Sequence, residues 1–130
     1  MPKYMHPNVL DQGLQYIISS AAGNVDMLLI SAYSQGDTYA VVDSNKVCTI
    51  NMIAGDFTLG NQGTLGRRLT VAEKSGTASG NAASPDLHIA IVDVTNSRVL
   101  AVTDESSDQN ITSGNPITVP TFAINMNQPV

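Results

Sequence analysis

The stretch at residues 86–104, DLHIAIVDVTNSRVLAVTD, decides the fold that the sequence predicts. Residues 87–94 and 98–102 are mostly Val, Ile, Leu and Ala, which favour strands. The residues between them suit a tight turn, because Asn96 tolerates a left-handed backbone. Together they predict a β-hairpin. Both faces of its first strand are largely apolar, so we expect an interior strand covered on two sides, or on one side by a partner subunit.

The remaining elements are predicted from periodicity and turn signals. Helical spacing of apolar residues predicts one amphipathic helix over residues 8–20. Residues 39–43 fit either a turn of helix or a short strand. Residues 54–66 contain four glycines and predict a loop that is functional or mobile. Further strands are predicted at residues 27–30, 46–53, 67–73, 77–79, 110–112 and 117–124, with Pro120 placing the last at an edge or bulge.

These elements predict the fold class. Short strands separated by turn signals, behind a single helix, indicate a mainly β protein: an antiparallel β-sandwich or jelly roll preceded by one N-terminal α-helix. A chain of 130 residues has the length of one ordinary domain. We therefore expect a single domain over residues 1–130, with a short N-terminal arm at residues 1–7.

Composition argues against several classes of protein. The net charge is −5, from 6 Lys and Arg against 11 Asp and Glu, which disfavours nonspecific nucleic-acid binding. No apolar run approaches the roughly 20 residues that span a bilayer. The single cysteine cannot form an internal disulfide, and no segment resembles a signal peptide, so we expect a protein that acts without a secretory step. Only 13% of residues are charged, which leaves room for broad contacts with another protein.

The residue types used in catalysis and metal binding are few and scattered. His6 and His88 form no metal-ligand spacing with each other or with Cys48. We expect His88 to be an outward-facing or hydrogen-bonded structural residue and Cys48 to be a small buried hydrophobe. The sequence therefore predicts a protein that is not an enzyme, with no catalytic, metal-binding or cofactor-binding residues.

Two groups of charged residues allow a ligand-binding alternative. Arg67 and Arg68 are adjacent and could clamp a phosphate, but such a pair more often marks a solvated strand end, which we expect here. Acidic residues around the hairpin could gather around Ca²⁺, yet they are also ordinary turn formers at strand ends, the interpretation that we favour. These residues are Asp86, Asp93, Asp104, Glu105 and Asp108.

Three segments together resemble a known family. They are MHPNVLDQGLQYI at residues 5–17, GRRLTVAEKSGTASGNAASPDLHIAIVDVTNSRVLAV at residues 66–102, and DQNITSGNPITVPTFAINM at residues 108–126. The chain resembles the small structural proteins of tailed bacteriophages, in particular the head decoration (cement) proteins. This resemblance implies a non-enzymatic capsid decoration protein that binds the outside of the head shell and stabilises it.

The resemblance also implies partners and contact residues. The partner would be the major capsid protein of a tailed phage, and the chain would form a homo-oligomer, a dimer or a trimer. It would be made in the host cytoplasm and reside on the virion capsid surface. The N-terminal arm either docks onto the shell or a neighbouring protomer, or is a disordered terminus. The contact residues expected at the two ends of the chain are Met1, Tyr4, Met5, His6, Met126 and Val130.

Other functions remain open at this point. A head-tail connector or completion protein, or a fibre component, would share the virion location and differ chiefly in copy number. A carbohydrate-binding β-sandwich module would need exposed aromatic side chains, and the chain has four Tyr, two Phe and no Trp. A small hydrolase would need an acid-base pair that the sequence does not indicate.

Overall fold

Two helices, a short 3-10 turn and nine β-strands make up the part of the chain that the structure describes. The computed structural model describes residues 4, 6–105 and 108–127, with the side chains of residues 7–9 excepted. None of the helices within these ranges is long and apolar enough to cross a membrane. In chain order the elements are α1 (Pro7–Ser20), β1 (Val25–Ile30), α2 (Tyr39–Ser44), β2 (Lys46–Met52), the 3-10 turn Ala54–Asp56, β3 (Phe57–Gln62), β4 (Gly66–Val71), β5 (Lys74–Thr77), β6 (His88–Asp93), β7 (Arg98–Asp104), β8 (Pro116–Val119) and β9 (Phe122–Met126).

The strands form three antiparallel sheets, which we name sheet A, sheet B and sheet C. Sheet A has the strand order β2-β1-β6-β7, sheet B has the order β3-β4-β9, and sheet C pairs β5 with β8. The prediction of a mainly β protein with antiparallel sheets behind one N-terminal helix is therefore confirmed, and α2 adds a second, short helix. The prediction of a single domain stays a prediction.

The predicted hairpin is confirmed, and its first strand lies in the interior of sheet A. β6 pairs with β1 on one side and with β7 on the other. Ile89 and Ile91 are buried in the main core, whereas Ala90 and Val92 are buried in a second core on the opposite face of the sheet. Val42 of α2 packs in that second core. Both faces of β6 are thus covered within the chain, which was one of the two expected arrangements.

Asp93 stabilises the turn between β6 and β7. Its carboxylate accepts hydrogen bonds from the backbone N–H of Asn96 at 3.2 Å and from the Asn96 side-chain Nδ2 at 2.8 Å. Ser97, with a φ of 54°, takes the left-handed conformation that the sequence assigned to Asn96. Asn96 instead donates hydrogen bonds to the buried carboxylate of Asp93, which would otherwise lack partners within the described residues. The backbone preference of asparagine does not predict this role of its side chain.

The main core lies between sheet A, sheet B and α1. Met27 of β1, Leu69 and Val71 of β4, and Leu14 and Ile17 of α1 are all buried in it. α1 packs along β3 and β4. Sheet B therefore buries one face against the core and the helix, and its opposite face is accessible in the part of the chain that the structure describes.

The prediction of a loop at residues 54–66 is wrong, because most of this segment is β3 and its turn into β4. Phe57 and Leu59 point toward the core and alternate with Thr58 and Gly60, so the segment has the period-2 pattern of a strand. Gly63, with a φ of 64°, makes the turn that joins the two strands. The glycines indicated a loop, whereas pairing with β4 holds the segment extended.

The prediction of one final strand over residues 117–124 is also wrong. The segment divides at Pro120 into β8 of sheet C and β9 of sheet B. Proline has no N–H and cannot continue the ladder of a paired strand. Thr121 then anchors the start of β9, because its hydroxyl donates to the Val71 carbonyl at 2.7 Å.

Three short segments form elements that the sequence left open or placed differently. Residues 39–43, which left helix and strand open, belong to α2, and Thr38 caps that helix. The strand expected at residues 77–79 lies slightly earlier, as β5, with Ala78 forming an isolated bridge to Cys48. At residues 110–112 only Ile111 is paired, through an isolated bridge to Ala82.

Candidate assembly surface

Sheet B has one buried face and one accessible face, and we call the accessible one the outer face of sheet B. Leu69 and Val71 of β4 point into the core, so Arg68 and Thr70 point outward. The strand register extends this face across β3 and β9. Its accessible members are Thr58, Gly60, Gln62, Arg68, Thr70, Ala123 and Asn125.

Arg68 of β4 forms side-chain hydrogen bonds to both neighbouring strands on the outer face of sheet B. Its Nε donates to Oδ1 of Asn125 on β9 at 3.0 Å, and its Nη2 donates to Oε1 of Gln62 on β3. Arg68 is the one charged side chain in the set that defines this face. A guanidinium already held by two neighbours loses less conformational freedom when a partner binds. The outer face is therefore polar and weakly charged, and its one charged side chain is held in place before any contact forms.

The neighbouring Arg67 lies on the opposite face of β4 and has a different role. Its Nε contacts Oδ1 of Asp11 on α1 at 2.6 Å, and the two side chains are only 20% and 25% exposed. Its Nη1 donates to Asn61 on β3. The expected solvated strand end is thus wrong for Arg67, which joins α1 to sheet B. Because consecutive strand residues point to opposite faces, Arg67 and Arg68 cannot clamp one phosphate together.

An apolar groove of about 170 Å³ lies between the free edges of sheets A and B. Ile89, Ile91 and Ala101 line it from sheet A, and Phe122 and Ile124 line it from β9. Phe122 and Ile124 are half-buried, and they also pack against the main core. The groove therefore places partly covered apolar side chains directly beside the free edge of β9.

His88 lies between two of the acidic residues considered above for Ca²⁺. Its Nδ1 is 3.1 Å from the backbone oxygen of Asp86, and its Nε2 is 3.5 Å from Oδ1 of Asp104. The ring also contacts the ring of Tyr33, with centroids 5.6 Å apart. The predicted hydrogen bonding of His88 is confirmed, and its structural role stays a prediction. The two carboxylates are 67% and 71% exposed, as is ordinary for acidic residues at strand ends, so we assign no cation to them.

The other acidic residues of that set lie apart or have structural roles. Asp93 is at the opposite end of β6 and holds the turn. Asp108 accepts a hydrogen bond from the backbone N–H of Leu87 at 2.8 Å. The structure thus brings Asp86 and Asp104 together beside His88 and gives Asp93 and Asp108 separate partners. Their positions fit the turn-forming roles that the sequence favoured.

Cys48 is fully buried in β2, which confirms the prediction of a small buried hydrophobe. Burial raises the pKa of its thiol, because the apolar surroundings disfavour the thiolate. A neutral buried thiol is a poor nucleophile. The position therefore offers packing rather than reactivity.

Stability should fall as the pH rises through the range in which Cys48 titrates. An exposed thiol in the unfolded chain ionises near pH 8.5, whereas the folded thiol, whose pKa is raised, stays neutral to higher pH. The unfolded state then binds fewer protons than the folded state, so the free energy of unfolding drops by up to about 1.4 kcal/mol per pH unit. Urea unfolding at several pH values measures this decrease in the free energy of unfolding. Cys48→Ala should not show the decrease that comes from the thiol. Identical pH dependence in both proteins would contradict a raised pKa of Cys48.

The predicted contact residues at the chain ends fall into two groups. Tyr4 is 61% exposed, and its ring meets the ring of His6 edge-on, with centroids 6.5 Å apart. Met126 is half-buried at the end of β9, and its sulfur lies against Gly13 of α1. Their roles as capsid contacts stay predictions. The other predicted contacts lie outside the described residues: Met1, Met5 and Val130.

A second groove, of about 270 Å³, lies beside β8. Leu29, Leu87, Ile117 and Val119 contribute apolar atoms to its lining, and Glu105 is among its polar members. None of the residues that line it is aromatic. It therefore does not offer the stacking surface that a carbohydrate-binding module needs.

The outer face of sheet B was not predicted, although part of its signal is present in the sequence. Arg68 and Thr70 alternate with Leu69 and Val71 in a period of two, which predicts one polar and one apolar face. The same pattern recurs in β9, FAINM. What the sequence does not show is that β3, β4 and β9 are neighbours.

Comparisons with known proteins give no identification. No protein-family model, no curated protein and no solved structure matches the chain.

Proposed function

We propose that this protein is a non-enzymatic decoration protein of a tailed-phage capsid, which binds the outside of the head shell through the outer face of sheet B. The observation that carries the proposal is this face itself: a three-stranded, polar and weakly charged surface that Arg68 orders. The resemblance over residues 5–17, 66–102 and 108–126 supplies the class of partner, the major capsid protein.

The chemistry of the face suits attachment to a protein shell. Few ions must be desolvated when it is covered, since six of its seven accessible members are uncharged. A polar surface of this kind binds weakly at a single site, but repetition around a closed shell makes the total contribution large. A protein that binds only the assembled shell also stabilises that shell by mass action.

The fold supports the same proposal at a finer level. We infer that sheets A and B are the two layers of a β-sandwich, because Met27 of sheet A and Leu69 of sheet B belong to one core. In this arrangement the outer face of sheet B is one broad side of the sandwich. Such a side can lie flat on a shell, as decoration requires.

The copy number of the protein in purified virus particles tests the role. We expect a ratio to the major capsid protein near one-to-one or a simple fraction of it, measured by quantitative mass spectrometry. About a dozen copies or fewer would favour the connector, completion or fibre alternatives. Absence from the particle would exclude a virion role altogether.

Replacing Arg68 with glutamate should weaken binding to capsid shells about tenfold or more, equivalent to about 1.4 kcal/mol. The substitution reverses the one charge on the outer face and removes the hydrogen bonds to Gln62 and Asn125. Co-sedimentation of the purified chain with shells that lack it measures the affinity. Arg98→Glu is the matched control, because Arg98 lies on sheet A beside Tyr16 of α1. Equal losses for both variants would contradict docking through sheet B.

A further inference from the structure

β9 forms one free edge of sheet B and, within the described residues, lacks the features that usually protect a strand edge. Its sequence, FAINM, contains no charged residue, no proline and no glycine. It pairs with β4 without a register shift. Natural proteins block exposed edges with charges, prolines, bulges or a covering segment, because unpaired backbone groups recruit another strand. An edge without any of these is suited to pair with another strand.

The edges of sheet A are protected. In β7 the register shifts opposite β6, and the strand begins with Arg98 and ends with Asp104. A bulge twists an edge and interrupts its ladder. At β2 a neighbouring segment covers the edge, since the N–H of Ser79 donates to the Val47 carbonyl at 2.7 Å.

The remaining edges are also poorer candidates than β9. β3 has Gly60 near its centre, and glycine weakens a strand. If β3 paired antiparallel with β3 of a second copy about an axis at Leu59, the apolar Phe57 would lie opposite the polar Asn61. In sheet C, β5 begins with Lys74 and β8 begins with Pro116. Among the edges in the described ranges, β9 thus has the most uniform surface for pairing.

The directions of the backbone groups in β9 follow from its neighbours. The backbone N–H of Ala72, the residue after β4, donates to the carbonyl of Asp56 at 2.9 Å, on the side of β3. Backbone groups alternate in direction along a strand, so those of Arg68 and Thr70 also point toward β3. The backbone groups of Leu69 and Val71 point toward β9. The carbonyl of Val71 accordingly points toward β9, where the Thr121 hydroxyl reaches it. The register then turns the N–H and C=O groups of Ala123 and Asn125 toward the free edge.

We propose that β9 pairs antiparallel with β9 of a second copy of this chain, about a two-fold axis that passes beside Ile124. In this register Ala123 of each copy lies opposite Asn125 of the other, and both residues direct their backbone groups outward. The strand is therefore self-complementary in its hydrogen bonds. The two copies of sheet B become one continuous sheet with the strand order β3-β4-β9-β9-β4-β3.

The side chains fit the same register. Ile124 lies opposite Ile124 of the second copy, and Phe122 lies opposite Met126 of the second copy. These are non-hydrogen-bonded pairs, in which side chains come closest, and a thioether against an aromatic ring is a favourable contact. All of them lie on the inner side of sheet B, where Phe122 and Ile124 line the apolar groove and Met126 lies against Gly13 of α1. The second copy thus covers the half-buried Phe122 and Ile124 with apolar groups.

The pairing has a consequence for the proposed function but does not rest on it. A two-fold axis perpendicular to the sheet places both outer faces on the same side, where they form one surface twice as wide. β9 itself is uncharged. Arg67 of β4, which lies opposite Met126 at the end of β9, is already paired with Asp11, so the edge does not bring like charges together. The pairing is testable on the purified chain, with no virus particle present.

The test is the mass in solution of the wild type and two variants at Ala123. We expect the wild type to sediment at twice the monomer mass of 13.7 kDa at micromolar concentration. Ala123→Pro should sediment as a monomer, because it removes an N–H that points away from β4 and leaves the pairing with β4 intact. Ala123→Thr keeps that N–H and favours strands, so it should remain a dimer.

Hydrogen exchange of the wild type locates the contact independently of any variant. The amides of Ala123 and Asn125 should exchange at least tenfold more slowly in the dimer than in the monomer obtained by dilution, because pairing removes them from water. A wild type that stays monomeric would overturn the proposal, as would a trimer. A dimer whose amides at these two positions exchange at equal rates in both states would also overturn it. If Ala123→Pro fails to fold, the exchange rates alone decide.

Discussion

Replacing Leu69 with alanine is expected to lower the free energy of unfolding by about 3–5 kcal/mol. Leu69 is fully buried at the centre of β4, the middle strand of sheet B. Its registered neighbours are Leu59 on β3 and Ile124 on β9, so truncation opens a cavity between three strands and the helix that packs on them. A paired strand on each side prevents β4 from collapsing into the space. Chemical denaturation monitored by circular dichroism measures the loss.

Leu65→Ala is the matched control for this substitution. Leu65 lies next to the start of β4 and is 45% exposed, so the same change should cost less than about 1 kcal/mol. The difference between the two variants reports burial in sheet B rather than a general intolerance of alanine. Equal losses at both positions would contradict the assignment of Leu69 to the core.

The parts of the fold that the sequence predicted are those with local causes. The β6–β7 hairpin follows from two apolar runs and a turn that are contiguous in the chain. α1 follows from the spacing of Leu10, Leu14 and Ile17, all three of which are buried. Each signal depends on residues that interact within about one element, and the sequence displays them directly.

The parts that the sequence missed depend on pairing between distant segments. β3 contains Gly60, a residue that weakens strands, and it stays extended because it pairs with β4. Pro120 marks a break between two sheets, but periodicity alone does not show that the residues on either side join different partners. In both cases the tertiary pairing outweighs the local preference of the residue.

The candidate site was missed for the same reason. Thr58, Thr70 and Ala123 become neighbours only through the register of sheet B. The contacts expected at the chain ends follow from the general tendency of terminal segments to dock, which does not identify a face. Of these residues, Met126 lies on β9 beside Gly13, where it is part of the proposed pairing.

Replacing Gly76 with valine is expected to lower the free energy of unfolding by about 1–3 kcal/mol through overpacking. A Cβ at this position would lie 2.8 Å from Cγ1 of Ile50 and 3.2 Å from Sγ of Cys48. Both neighbours are buried residues of β2, so neither can move away freely. Sheet C would have to shift from the edge of sheet A. The variant should also expose Cys48, which faster labelling by a thiol reagent would detect.

Gly80→Ala separates this close approach from the general effect of replacing a glycine. A Cβ at Gly80 would lie 3.8 Å from Cγ1 of Val47, an ordinary contact distance, so we expect a change within about 0.5 kcal/mol. Both glycines approach β2, Gly76 closely and Gly80 at ordinary contact distance. If Gly76→Val is as stable as the wild type and Cys48 is no more reactive in it, sheet C does not depend on the contact at Gly76. If stability falls and labelling accelerates together, the glycine is what lets β5 lie against β2, and the thiol is buried because sheet C covers it.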